Sequence, residues 1–275
     1  MRSVGVATGA GRGMGLACAQ RMAHTVDALL LVDLDEAAAT AAASSLSGSR
    51  ATVEPFALDI TDVEGLGRLA GRIGDLGTLR SVAHAAGISP TMADWRRIFT
   101  VDLIGTARLA DALRPLATDG TATVCFASMA GTMNNGPDEA ADAVLDDPLA
   151  DAFLDRLHAT LGSQVEDPGI AYSWAKRGVQ RFVRQEAMRL GPVGARICSI
   201  SPGIIDTPQG RQEAETHAVM QQLVEMSALG REGRSEELAA VAAFLLSDEA
   251  SFLTGTDVLV DGGVVAALWT GASPW

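Results

Sequence analysis

Apolar residues along this chain fall into two kinds of segment that alternate from one end to the other. The first kind is a short run of consecutive apolar residues, as in residues 28–33 (ALLLVD), which is typical of a parallel strand buried on both faces. The second kind is longer, and its apolar residues recur every three or four positions, which is typical of an amphipathic helix. The alternation predicts strands that are each followed by a helix.

The pattern predicts seven strands and six principal helices. The strands are predicted at residues 3–8, 28–33, 51–58, 81–86, 121–127, 195–201 and 258–260. The helices are predicted at residues 13–22, 36–46, 63–73, 95–113, 172–190 and 236–246. Strands separated by helices of this length imply right-handed crossovers and parallel pairing. We therefore predict a single-domain α/β fold over residues 1–275, with a Rossmann-type doubly wound parallel sheet.

Residues 131–170 interrupt this alternation. They contain no strand pattern, and residues 138–167 carry nine acidic side chains and one Arg. Two short amphipathic helices are predicted there, at residues 140–145 and 149–161, separated by Pro148. We predict that residues 131–170 form an acidic helical insertion, placed either over a functional cleft or at a subunit interface.

Composition argues against several classes of partner. The formal net charge is −13, whereas binding to nucleic acids or anionic membranes depends on Lys and Arg. No apolar run reaches the ~18 residues of a membrane span, and the first residues lack the apolar core of a secretory signal. Cys18, Cys125 and Cys198 lie in apolar segments without C-x-x-C spacing, which indicates buried thiols. We predict a cytoplasmic protein with no metal site.

A glycine-rich loop, residues 8–15 (TGAGRGMG), joins the first predicted strand to the first helix. Glycine permits tight turns and a close approach of the backbone to a ligand, and a helix N-terminus offers N–H groups to a pyrophosphate. The pattern T-G-x-x-x-G-x-G differs from the general G-x-G-x-x-G pattern, and turn chemistry alone is the competing explanation. The position between strand and helix favours a dinucleotide site.

Asp33 ends the second predicted strand, 18 residues beyond Gly15. A carboxylate at this place accepts hydrogen bonds from the adenosine ribose hydroxyls and repels a 2′-phosphate, which favours NAD over NADP. Arg12 in the loop favours the opposite preference, because a basic side chain pairs with a 2′-phosphate. We expect Asp33 to prevail, so NAD is the predicted cofactor.

Tyr172 is the only Tyr of the chain, and Lys176 follows it by four residues. Residues at this spacing share one helix face. The pKa of a phenol, near 10, is too high for a base at neutral pH, and a neighbouring ammonium favours the phenolate. The pair is therefore a candidate for general acid–base catalysis. An ordinary amphipathic helix is the alternative explanation.

The chain resembles the short-chain dehydrogenase/reductase family over nearly its whole length. The segments that carry the resemblance stand in the family's order: residues 8–15, 84–87 (HAAG), Ser128, 172–176 (YSWAK), 201–203 (SPG), 254–257 (TGTD) and 261–263 (DGG). The resemblance implies an oxidoreductase that interconverts a secondary alcohol and a ketone with NAD(H). It also implies assembly as a homodimer or homotetramer.

The resemblance implies a role for each matching residue. Ser128 and Tyr172 would hold the substrate oxygen, Tyr172 would transfer the proton, and Lys176 would bind the nicotinamide ribose. The implied cofactor-binding residues are Gly9, Arg12, Gly13, Met14, Gly15, Asp33, Asp59, Ile60, Ala85, Ala86, Gly87, Tyr172, Lys176, Pro202, Gly203, Ile205 and Thr207. Taken singly, Ser128 and Asp59 are also explained by helix capping.

Two positions depart from the family pattern. The family has Asn, part of a proton relay through Lys and a water molecule, where this chain has Asp102. Asp102 is a candidate for the same catalytic role, but its charge near Lys176 calls the relay geometry into question. His84 replaces the Asn of the family's N-A-A-G turn, and we expect it to pack or to bond locally.

Ser128 and Tyr172 lie 44 residues apart, far more than is common in the family, and the acidic insertion accounts for the excess. This layout is similar to the bacterial 3α-hydroxysteroid dehydrogenase/carbonyl reductase branch, which implies a hydrophobic cyclic or aryl substrate. Residues 206–230 contain Met220 and Met226 and are predicted to form a mobile substrate lid, since Met adapts to apolar ligands. A plain amphipathic helix explains them equally well.

Two other functions compete with this interpretation. Asp102 and the insertion are compatible with a non-catalytic NAD(H)-binding regulator or scaffold, but such a protein has no need of the Tyr172–Lys176 pair. Arg12 is compatible with an NADP-linked carbonyl reductase, but Asp33 opposes that preference.

Overall fold

The computed structural model describes residues 1–133, 138–211 and 219–271. Its strands are β1 (Ser3–Thr8), β2 (Ala28–Asp33), β3 (Thr52–Ala57), β4 (Thr78–His84), β5 (Ala122–Phe126), β6 (Arg196–Pro202), β7 (Ile205–Asp206), β8 (Gly233–Arg234) and β9 (Asp257–Val260). Seven of them form a central parallel sheet in the order β3–β2–β1–β4–β5–β6–β9, and a separate pair joins β7 to β8. The predicted fold class is confirmed. Strand order reverses between β1 and β4, which opens a crevice at their carboxyl ends.

Helices cover both faces of this sheet. They are α1 (Gly13–Met22), α2 (Glu36–Ser45), α3 (Val63–Leu76), α4 (Trp95–Phe99), α5 (Thr106–Leu113), α6 (Ala130–Met133), α7 (Glu139–Leu145), α8 (Phe153–Leu161), α9 (Pro168–Leu190), α10 (Val219–Met226), α11 (Ser235–Leu246) and α12 (Val264–Thr270). One face packs against α1, α2 and α11, and the other against α3, α5 and α9. Among the described residues, no helix combines the length and the apolarity needed to cross a bilayer.

The helix that carries Tyr172 begins earlier than the sequence pattern predicts. α9 begins at Pro168, so the predicted start at residue 172 is wrong. The Asp167 carboxylate caps the helix by accepting the Ile170 N–H at 2.9 Å, and Pro168 at the first position has no N–H to leave unpaired. Tyr172 therefore lies inside a regular helix, where the backbone fixes its direction.

The helix predicted at residues 95–113 is not regular. A π-helical turn, Thr100–Gly105, separates α4 from α5. Such turns add one residue to a helical turn and are frequent at functional sites. Asp102 lies in this turn, and its side chain is completely buried.

The insertion packs against the surface formed by α4 and α9. Its first helix is close to the prediction, whereas its second, α8, starts four residues later than predicted, at Phe153. Phe153 meets Phe99 edge-on, with ring centroids 6.1 Å apart. The His158 ring stacks on Trp95 at 5.6 Å. The insertion therefore extends the hydrophobic core on this side of the sheet.

Two bidentate ion pairs join α7 to α9. Arg177 binds both carboxylate oxygens of Asp142, each at 2.7 Å. One turn further along both helices, Arg181 binds both oxygens of Asp146, again at 2.7 Å. Arg181 also reaches Asp142 at 3.0 Å. Two forked pairs, each one turn from the next, lock α7 to the helix that carries Tyr172.

Asp142→Asn is expected to lower the melting temperature by several degrees, because it removes the charge that Arg177 and Arg181 share. A hydrogen bond to a charged group contributes about 1.5–3 kcal/mol, and about 1 kcal/mol shifts the melting temperature of a large domain by about 2–4 °C. Asp155→Asn is the matched control, since its pair with Arg96 is exposed and we expect almost no change. Equal shifts in melting temperature in the two variants would contradict the structural role of the ion pairs between α7 and α9.

Candidate active site

One cleft crosses the carboxyl ends of the central strands at the point where their order reverses. It consists of an outer and an inner cavity, which share Met14, Ala85, Gly87, Ile88, Thr207 and Gln209. The outer cavity, about 1000 Å³, lies against the glycine loop. With the exception of Asp102, every residue predicted to bind the cofactor or to act in catalysis lines one of the two cavities.

At Gly9 and Gly15 the glycine loop is packed so tightly that a side chain would not fit. A Cβ on Gly15 would lie 2.1 Å from the carbonyl oxygen of Gly9. A Cβ on Gly9 would lie 2.9 Å from the Ala86 nitrogen, and the φ of Gly9 is +60°. Gly13 also has a positive φ, +56°, but its missing Cβ would face Thr207 at 3.7 Å across the cleft. The loop thus presents backbone at the start of α1 to the outer cavity.

Asp33 is held in place at the outer end of the cleft. One of its carboxylate oxygens accepts the Gly11 N–H at 2.8 Å, and the other accepts the Asp35 N–H at 3.0 Å. Each oxygen keeps a lone pair for a further donor. Arg12 is exposed and lines the same cavity. The structure therefore places in one cavity the two side chains that are predicted to favour different cofactors.

Asp59 faces the outer cavity and does not cap a helix. Its carboxylate accepts from the N–H and the hydroxyl of Thr61 and pairs with Arg97 at 3.0 Å. The cap of α3 is Asp62 instead. Partial burial alone would raise the pKa of Asp59, but the hydrogen bonds from Thr61 and Arg97 hold it below its usual range.

Tyr172, Lys176 and Ser128 line the inner cavity together. The Lys176 ammonium lies 5.4 Å from the centre of the Tyr172 ring and donates to the Phe126 carbonyl at 3.3 Å. The Ser128 hydroxyl is half-buried and accepts the Ala130 N–H at 3.2 Å. The hydrogen bond that stabilises this turn is therefore compatible with the place of Ser128 in the same cavity as Tyr172.

Asp102 lies next to Lys176 but does not itself line the cleft. Its Oδ2 is 3.5 Å from the Lys176 ammonium, and its Oδ1 accepts the Ile88 N–H at 2.8 Å. Burial raises the pKa of Asp102, an effect that Lys176 opposes. Burial alone would lower the pKa of Lys176, but Asp102 and Tyr172 outweigh it and raise that pKa.

His84 is buried and bonds locally, as expected. Its Nδ1 lies 2.7 Å from the Thr8 hydroxyl and its Nε2 lies 2.9 Å from the Thr106 hydroxyl. Because the Thr106 hydroxyl donates to the Asp102 carbonyl, it accepts from Nε2–H, and Nδ1 accepts from Thr8. The Thr8 oxygen in turn accepts the Ala86 N–H. Burial lowers the pKa of His84 to about 3, so the ring is neutral.

Sequence reasoning missed two polar residues: Arg97, which lines the outer cavity, and Gln180, which lies next to the inner cavity without lining it. Gln180 donates to the Ser201 hydroxyl at 2.9 Å and approaches the Ser128 carbonyl at 3.4 Å. It continues the four-residue spacing of Tyr172 and Lys176, and that spacing was a signal that could have revealed it. Arg97 carries no such signal, since only the fold brings it to Asp59.

The sequence is similar to those of known dehydrogenases and reductases. The sequence model of a family described as "Enoyl-(Acyl carrier protein) reductase" matches residues 9–144 and 157–265. A short-chain reductase protein, NovJ, from Streptomyces niveus is 31% identical, with 95% of this chain and 93% of the relative covered. Meso-2,3-butanediol dehydrogenase from Serratia marcescens is also 31% identical, with 95% and 94% covered. Cis-4-hydroxycyclohexanecarboxylate dehydrogenase from Sinomonas cyclohexanicum is 30% identical, with 96% of each chain covered.

The fold is also similar to solved structures. A short-chain dehydrogenase/reductase from Brucella melitensis superposes with a TM-score of 0.75 at 26% identity, and 96% of each chain is covered. The residues matched by the family model include the glycine loop from Gly9 onward and the whole of α9, and the relatives at 31% identity cover 95% of the chain. The chain therefore belongs to the short-chain dehydrogenase/reductase family of nicotinamide-dependent oxidoreductases.

Proposed function

We propose that this protein is an NAD(H)-dependent oxidoreductase that interconverts a secondary alcohol and a ketone, and that its substrate is a hydrophobic cyclic or aryl compound. One observation carries the proposal: Tyr172, Lys176 and Ser128 line the inner end of a cleft whose outer end holds Asp33. The names of relatives such as meso-2,3-butanediol dehydrogenase support a secondary alcohol. The proposal treats residues 1–275 as one domain that assembles as a homodimer or homotetramer.

The cleft has the features that a dinucleotide requires. Gly13 leaves the space beside Thr207 open, and the N–H groups at the start of α1 suit a pyrophosphate. Asp33 would bind the adenosine ribose, and the Asp59–Ile60 segment would contact adenine. Ile205 and Thr207 would hold the carboxamide at the inner end. When bound, the nicotinamide accepts the hydride of the alcohol carbon, so that the alcohol becomes a ketone and NAD⁺ becomes NADH.

The chain's own residues handle the proton. In oxidation the Tyr172 phenolate takes the hydroxyl proton of the alcohol, and in reduction the phenol returns it to the ketone oxygen. The Lys176 ammonium favours the phenolate, because opposite charges attract across the buried end of the cleft. The Ser128 hydroxyl would donate to the substrate oxygen as negative charge develops there. The burial of the three side chains fits these roles. Lys176, which would not touch the substrate oxygen, is buried, whereas Tyr172 and Ser128, which would, are half-buried.

The lining of the inner cavity supports an uncharged substrate. Ile88, Ile204 and Met220 contribute apolar surface there. Among the described residues of this lining there is no Asp, Glu or Arg, and Lys176 is the only Lys. Asp102 already pairs with it. A carboxylate or phosphate on the substrate would therefore lack a counter-charge, and burying it would be costly.

The test is NADH formation by the purified protein with NAD⁺ and a panel of secondary alcohols. A matched pair isolates charge: 4-methylcyclohexanol against cis-4-hydroxycyclohexanecarboxylate. We expect the neutral alcohol to be oxidised at least about tenfold more efficiently, because one uncompensated buried charge costs more than about 1.4 kcal/mol. Preference for the carboxylate or for linear polyols would contradict the substrate class. NADH binding without turnover on any alcohol would support the regulator or scaffold instead.

A further inference from the structure

Asp102 and Lys176 form a direct ion pair inside the protein. Their side chains are 0% and 7% exposed. Oδ1 of Asp102 is bound by the Ile88 N–H, while Oδ2 faces Lys176 and has no hydrogen-bond partner among the described residues. An unpaired buried charge costs several kcal/mol. Lys176 is therefore the counter-charge of Asp102, and the two charges are not independent.

We propose that Asp102 is a positioning residue that acts through Lys176: by compensating the ammonium, it weakens the stabilisation of the Tyr172 phenolate and moves alcohol oxidation to more alkaline pH. The inference rests on the proposed roles of Tyr172 and Lys176 and deepens them. The Asn that the family has at this position carries no charge. With Asn at this position, the charge of the Lys176 ammonium would not be compensated and would stabilise the Tyr172 phenolate in full.

The other titratable groups that face Lys176 do not alter this balance. His84, on β4, is neutral, because burial lowers its pKa to about 3. Cys125, on β5, stays protonated, because burial raises the pKa of its thiol to about 12. Tyr172 lies one turn away on the same helix. The neighbouring Arg177 is bound to Asp142 in the insertion. Within the described structure, Asp102 is therefore the charged neighbour that determines how strongly the positive charge of Lys176 acts on Tyr172.

The sign of the effect follows from the charges. In the native protein, ionisation of Tyr172 places a second anion beside an ammonium that already has one. In Asp102→Asn, the tyrosinate becomes the only close counter-ion that the described residues offer to Lys176, so ionisation turns a lone buried charge into a pair. Because nearby charges shift a pKa by about 1–3 units, we expect the midpoint of Tyr172 ionisation to fall by about one pH unit or more.

A spectroscopic titration tests this without any turnover. Tyr172 is the only Tyr of the chain, so the rise in tyrosinate ultraviolet absorbance with pH reports on this one phenol. The titration compares the native protein, Asp102→Asn and Asp111→Asn. Asp111 is a matched control carboxylate beyond the same π-turn, and it is 60% exposed and paired with Arg114. Native folding of each variant is checked by circular dichroism across the titrated range.

A lower midpoint in Asp102→Asn alone is the expected result, and the acidic limb of kcat/KM for the best alcohol should move by the same amount. An unchanged or higher midpoint, or an equal shift in Asp111→Asn, would overturn the inference. If Asp102→Asn fails to fold, Asp102→Ser removes the same charge with a smaller side chain and is judged by the same midpoint. Absence of turnover on all alcohols would count against the proposed function, whereas the titration judges the role of Asp102 separately.

Discussion

Replacing Tyr172 with Phe is expected to lower kcat for alcohol oxidation about a thousandfold, in line with the contribution of a positioned acid–base group, while NADH binding stays intact. The change removes the oxygen that we propose exchanges the proton and keeps the ring near the Lys176 ammonium. Because α9 and the glycine loop are untouched, the cofactor cleft keeps its shape. Initial rates of NADH formation and a fluorescence titration with NADH measure the two quantities.

Ser173→Ala is the matched control for this variant. It also removes one hydroxyl from α9, but that hydroxyl donates to the Gly169 carbonyl within the helix and is turned away from the cleft. We expect activity within about twofold of the native value, because a surplus hydrogen bond within a helix contributes little. Residual activity above a tenth of the native rate in Tyr172→Phe would show that another group moves the proton.

Asp33→Ser is expected to reverse the cofactor preference. Losing charged hydrogen bonds worth about 1.5–3 kcal/mol weakens NADH binding by about 10–100-fold. The smaller side chain also removes the repulsion of a 2′-phosphate, so NADPH should bind more tightly than to the native protein. Affinities for both cofactors, measured by fluorescence, give the ratio directly. Tighter NADPH than NADH binding to the native protein would contradict the assignment of NAD.

Arg12 provides the second half of that experiment. It is exposed beside the same cavity, so it is the side chain that a 2′-phosphate would meet once Asp33 is gone. In the Asp33→Ser background, Arg12→Gln should remove most of the gain in NADPH affinity and leave NADH affinity nearly unchanged. An unchanged NADPH affinity in the double variant would mean that the loop backbone, not Arg12, receives the phosphate.

The strand ends could be predicted because the strands beside the cleft are continuous apolar runs. Two of them, Ser3–Thr8 and Ala28–Asp33, have the predicted bounds, and the glycine loop and Asp33 therefore fell at the right edge of the sheet. The strand Thr78–His84 was displaced in the prediction, at 81–86. A charged side chain, Arg80, breaks its apolar run, and the following residues turn toward the glycine loop.

The rest of the site depends on contacts that no local pattern encodes. The apolar spacing of residues 95–113 is that of an ordinary helix, so it could not predict the π-turn that buries Asp102. Helix Val264–Thr270 was missed because it directly follows the glycine pair of the DGG segment. The predicted lid, residues 206–230, includes residues 212–218, which are outside the described structure. The lid therefore remains a prediction.

The hydrogen-bond chain through His84 has a polarity. Each hydroxyl in it has a single proton, and both ends are peptide groups that cannot exchange the roles of donor and acceptor, so the chain can run in only one sense. Reversing one link would require reversing all of them. These hydrogen bonds therefore connect the turn that ends β4, the glycine loop and the π-turn. Loss of the Thr8 hydroxyl would disturb the glycine loop and also the π-turn that holds Asp102, the ion-pair partner of Lys176.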